Sequence, residues 1–125
     1  MKHLFLFGGS PPFSPILGGE FASISLSKSK PKIGVLFVER PGWKDYMTKY
    51  TASLEAYGLR DFLFLPLSPY LSKKDFKELG SCTGIIIGGG NTEKYRNYIV
   101  DTPIGETIRR LYENGVPVAV FLPER

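Results

Sequence analysis

The 125-residue chain has one cysteine, one histidine and one tryptophan. With Cys82 alone, no intrachain disulfide can form and a cysteine-built metal cluster is excluded. A small buried residue just ahead of a strand is the expectation for it. His3 stands at the start of the first apolar segment, badly placed to serve a nucleophile, so no Ser-His-Asp or Cys-His site is expected from it. No metal and no cofactor are expected. No apolar run approaches the roughly 20 residues of a membrane span. Leu4–Phe7 is followed at once by Gly8-Gly9 with no small-residue cleavage site, so a signal peptide is not expected and the cytoplasm is.

The formal net charge of +4 is spread along the chain. Lys28, Lys30 and Lys32 form one small group and Lys73, Lys74 and Lys77 another. Both read as solvated surface. Basic residues are not interleaved with aromatics in a binding motif, so neither nucleic acid nor membrane is expected as a partner. A hydrophobic fraction of 42% fits a single globular domain with a real core.

Apolar runs and helical spacings alternate along the chain, predicting an α/β fold with a parallel sheet and helices on both faces. Strands are predicted at 2–7, 32–38, 61–67, 83–87 and 117–121, with helices at 16–27, 43–57, 72–79, 92–99 and 104–114. Tyr46, Tyr50, Leu54 and Tyr57 share one helix face, and Gly58 ends that helix. Crossover rules suggest the spatial order three, two, one, four, five. The loops after Phe7, Val38, Ile87 and Phe121 would then open at one edge.

The most informative run is Thr83-Gly84-Ile85-Ile86-Ile87-Gly88-Gly89-Gly90-Asn91-Thr92. Three isoleucines suit a strand covered on both faces. Three glycines allow a sharp turn and bring bare N–H groups close to a ligand. Asn91 or Thr92 can cap the helix that follows, and a helix N-terminus favours negative charge. An anion or a developing oxyanion could be held there. The turn is neither a Walker loop nor a dinucleotide fingerprint, since Gly-Lys-Ser/Thr and G-x-G-x-x-G are both absent. Glu39 and Arg40 fall at the rim and are expected as a solvated ion pair. Trp43 and Tyr46 are expected to pack in the core, with walling of the site as the alternative.

The segment 2–9, then Gly88-Gly89-Gly90-Asn91-Thr92, then Gly115-Val116-Pro117-Val118-Ala119 resembles the peptidase E family. These are aspartyl dipeptidases related to cyanophycinases, serine peptidases of the class I glutamine amidotransferase-like fold, itself flavodoxin-like. The resemblance runs over residues 1–125 and implies the N-terminal portion of one such domain, cut after strand five. It also implies that strand five leads into a nucleophile elbow reading Gly-Phe/Trp-Ser-Ala-Gly-Ala, with the serine on a strained turn. Here Val120-Phe121-Leu122-Pro123-Glu124-Arg125 stands instead, with Leu122 at the nucleophile position. No catalytic residue carries over. Only the glycines Gly88, Gly89 and Gly90 carry over, as backbone donors to the oxyanion; Asn91 and Thr92 stand as candidate substrate contacts, with helix capping alone as the alternative for Asn91.

The tail has a coding explanation. Deleting one G from GGT TTT TCT GCC GGA GCG CTG A, which encodes Gly-Phe-Ser-Ala-Gly-Ala-Leu, gives Val-Phe-Leu-Pro-Glu-Arg-stop. A frameshifted, inactive peptidase E-like chain is therefore expected, whose intact parent takes small peptides with an N-terminal Asp. The alternative expectation is a non-catalytic assembly module that forms a homodimer through an exposed sheet edge.

Overall fold

The structure is a computed structural model, and it describes residues 2–8, 14–88 and 92–122. Five strands, β1 (Leu4–Gly8), β2 (Ile33–Phe37), β3 (Phe62–Pro66), β4 (Gly84–Ile87) and β5 (Val118–Leu122), form one parallel sheet. Five helices connect them: α1 (Pro15–Leu26), α2 (Trp43–Glu55), α3 (Lys73–Gly80), α4 (Thr92–Ile99) and α5 (Pro103–Glu113). All the predicted elements are present, with ends shifted by one or two residues. The fold class is the α/β parallel sheet read from the sequence.

The strand order is not the expected one. It runs β1-β5-β4-β2-β3, so the first strand lies at an edge and not in the middle. The side chains give the reason. Phe5 and Phe7 of β1 are buried, whereas Leu4 and Leu6 are 53% and 56% exposed, so β1 is covered on one face only. Every residue of β2 is buried, as are Ile85, Ile86, Val118 and Ala119, which suits strands enclosed on both faces. Crossover handedness fixes the sense of a connection but not how many strands it passes.

Two cores result. Helices α1 and α2 close one face over Phe5, Phe7, Val35, Phe37, Ile86 and Phe121. Helices α3, α4 and α5 close the other over Leu36, Leu65, Ile85 and Val118. The helix ends follow local chemistry. Ser72 and Asp75 form a reciprocal capping box on α3, while Thr102 caps α5 with Pro103 in its first turn. Gly58 and Gly115, at φ of 100° and 92°, turn the chain out of α2 and α5.

Cys82 is buried between β2 and α3, and the desolvation pushes its thiol from the ordinary 9.0 up to about 12, against a smaller opposing pull from Lys32. A raised acid pKa means that the fold holds the proton more tightly than the unfolded chain does. This contribution is therefore complete below about pH 9 and is lost as the pH rises towards 12. Urea midpoints measured from pH 7 to 11 should fall above about pH 9, and less steeply in Cys82→Ala. Equal slopes in the two proteins would show that the thiol is not responsible.

Candidate functional site

A parallel sheet brings the carboxyl ends of all its strands to one edge. Register places Gly8 beside Leu122, Ile87 beside both Val120 and Leu36, and Phe37 beside Pro66. Gly88, the first glycine of the turn, therefore leaves the sheet in its central strand. The expected opening of the loops after β1, β2, β4 and β5 at a common edge follows from this geometry.

Gly88 is buried, and no space is left for a side chain on it. A Cβ on it would lie 3.0 Å from the Tyr50 hydroxyl oxygen and 3.3 Å from that of Tyr95. Tyr50 comes from α2 in one core and Tyr95 from α4 in the other. The Val38 N–H donates to the Tyr95 hydroxyl at 3.2 Å, which ties α4 to the chain leaving β2. Burial raises the Tyr95 pKa, opposed by that hydrogen bond and by the charge of Arg40. Neither tyrosine was singled out from sequence as part of the site. Tyr50 was read only as a core position on its helix.

One expected role changes here. The Gly88 N–H donates to the Leu36 carbonyl at 2.9 Å, as a continuation of the β2–β4 ladder. It is therefore not available to an oxyanion. Gly88 supplies room for close approach, and the expectation of a donor remains with Gly89 and Gly90. Those two glycines and Asn91 lie outside the described residues. Thr92 is the first residue of α4.

An aromatic column underlies this edge. Phe7 stacks on Phe121 at 4.8 Å, Phe121 meets the Tyr50 ring edge-on at 5.0 Å, and Tyr50 meets Tyr46 at 5.7 Å. It links the ends of β1 and β5 to α2, directly below the glycine turn. Leu122 follows Phe121 as the last residue of β5 and has no nucleophilic atom. His3 offers its backbone carbonyl to the Val118 N–H at 3.0 Å, at the opposite end of β1 from Gly8.

The rim differs from the expected ion pair. Arg40 does not pair with Glu39; its guanidinium lies over the Tyr46 ring, 5.0 Å from the centroid. Among the described residues the ion pair found is Arg109–Glu113, on exposed α5. Trp43 packs on Phe37 at 4.7 Å and so joins the core while also walling the site. With Tyr46, Tyr50, Tyr95, Val38 and Arg40 it lines a recess whose free space is about 10 Å³, the room of one water. A wider open cleft of about 670 Å³ adjoins it, lined by residues 39–45.

No group of His, Cys, Asp and Glu among the described residues is arranged to hold a metal. No helix among the described residues is long and apolar enough to cross a membrane.

No protein-family model and no curated protein sequence matches the chain. The fold is similar to the crystal structure of a peptidase from an acI-B1 Actinobacterium, with a TM-score of 0.71 at 16% sequence identity. The match covers 97% of this chain and 54% of that one, so the chain spans about half the length of the solved peptidase. Identity this low establishes a shared α/β architecture, peptidase-like in fold.

Proposed function

We propose that the chain carries one half of a peptidase E-like serine hydrolase site, for short peptides with an N-terminal Asp. The observation that supports this most is the turn after β4. It leaves the centre of a peptidase-like sheet, and its first residue is buried where the Tyr50 and Tyr95 hydroxyls leave no room for a side chain. Donors oriented before charge develops are what make an oxyanion hole effective.

In such a site a serine at the end of β5 attacks the peptide carbonyl, a histidine takes and returns its proton, and the Gly89 or Gly90 N–H steadies the oxyanion. Leu122 stands at that strand end and His3 lies at the far end of β1. Oriented donors without a nucleophile and base leave amide cleavage almost unassisted. The 125-residue chain should therefore bind Asp-Ala weakly, shift the Gly88–Thr92 amide resonances, and release no alanine above blank. Turnover that is lost on mutating Gly89 would contradict the inactive state, and unshifted amides would contradict the site.

A second reading, an assembly module, is supported by the half-exposed Leu4 and Leu6 on edge strand β1. Sedimentation separates the two. A tight symmetric dimer that Leu6→Lys dissociates favours assembly, and a monomer favours the hydrolase-like site alone.

A further inference from the structure

We infer that Arg40 is the anchor for a carboxylate of the bound peptide, in a subsite beside the glycine turn. This deepens the peptide-binding reading above and rests on it. Three observations converge on Arg40. Its guanidinium carbon lies over the Tyr46 ring, 5.0 Å from the centroid, and that ring meets buried Tyr50 edge-on. A guanidinium placed by a ring can still present its planar fork of N–H donors, which receives a carboxylate in two parallel hydrogen bonds.

The charge is also not neutralised by an ion pair among the described residues. Glu39 precedes Arg40 and Asp45 lies in the first turn of α2, yet neither forms an ion pair with it. Lys49 lies 4.9 Å from the same tyrosine ring and Lys44 lines the adjoining cleft. Three cations against two carboxylates leave this corner positive. Finally, Arg40 lines the same recess as Tyr95, and its charge is felt at that hydroxyl. Tyr95 in turn flanks Gly88. A peptide with its carbonyl at the turn thus has a fixed cation one side chain away, across Tyr95.

The carboxylate can be the peptide's C-terminus or an acidic side chain, and three ligands separate the two. Amide resonances of the 125-residue chain are followed at low salt during titration with Ala-Ala, Ala-Ala amide and Asp-Ala amide. Ala-Ala should bind and its amide should not if the C-terminus is read, whereas Asp-Ala amide should bind if the side chain is read. Arg40 is exposed, so Arg40→Gln should keep the wild-type spectrum while weakening the carboxylate ligand by about 10- to 100-fold, the range for hydrogen bonds to a charged group. Arg40→Lys, which keeps charge but loses the planar fork, should fall between them.

Equal affinity in wild type and Arg40→Gln, with shifts still at Gly88–Thr92, would overturn the role of Arg40 and leave the peptide site standing. Equal binding of Ala-Ala and both amides would also overturn it. Shifts with none of the three ligands would overturn both readings together.

Discussion

Phe121→Ala is expected to lower the unfolding free energy by about 3–5 kcal/mol, the usual cost of emptying a buried phenylalanine site. Phe121 is 1% exposed, stacked on Phe7 at 4.8 Å and edge-on to Tyr50 at 5.0 Å. Its loss opens a hole between two parallel strands and the helix above them, where three rings from separate elements meet. A domain of this size has about 5–15 kcal/mol in total, so much of the margin goes with one side chain. Urea unfolding measures the change directly. The Gly88 amide should shift as well, because Tyr50 leans on both Phe121 and Gly88. A loss under about 1 kcal/mol would mean that the column relaxes freely and does not hold the edge.

Gly84→Val is expected to have the next largest effect, at the upper end of the roughly 1–3 kcal/mol that overpacking costs. Gly84 opens β4 directly beneath α1. A Cβ there would collide with Ser25 Oγ, come within 2.7 Å of Ile33 Cδ1 and lie 3.1 Å from Phe21 Cζ. The obstructing groups cannot easily retreat. Ile33 and Phe21 are fully buried, and the Ser25 hydroxyl donates to the Phe21 carbonyl at 2.9 Å within its own helix. Relief requires α1 to rise off the sheet. Thermal melting should show the loss, and a midpoint within 2 °C of wild type would mean that α1 is not seated as described.

The same contact explains why α1 was the least legible helix. Ile16, Leu17, Phe21 and Ile24 fall near helical spacing, which marks the segment but only partly its buried face. Ile16 is 76% exposed, and the buried stripe is Gly18, Phe21, Ala22 and Ser25. Small residues carry that stripe because the helix lies close to Gly84, and small residues add little to an apolar pattern. By contrast α2 announced itself, since large side chains at Tyr50 and Leu54 fill the deeper space over the sheet.

At the site, the strand that leads to the glycines was readable because a continuous apolar run ending at a glycine marks a buried strand and its stop. The tyrosines that crowd Gly88 were not. Tyr50 and Tyr95 come from different helices and meet at Gly88 only because the sheet lies between them. The engagement of the Gly88 N–H depends on the register of β4 against β2, which residue types do not encode. Arg40 stacks on Tyr46, six positions along the chain, because Pro41 and Gly42, the latter at φ 80°, reverse the chain between strand and helix.

The place of β1 in the sheet also sets a timetable. Leu4 pairs with Val118, so β1 has its hydrogen-bonded neighbour, among the described residues, far along the chain in β5. Strands β2, β3 and β4 can assemble from contacts nearer in sequence, but β1 must wait for β5 to emerge. At a synthesis rate of about 5–20 residues per second, that wait is on the order of ten seconds. During it, Leu4, Phe5, Leu6 and Phe7 have no place in the sheet. Pairing across nearly the whole chain is also the kind of contact that slows folding. In a nascent chain of this design β1 is exposed to chaperones and to its neighbours on the polysome until β5 exists.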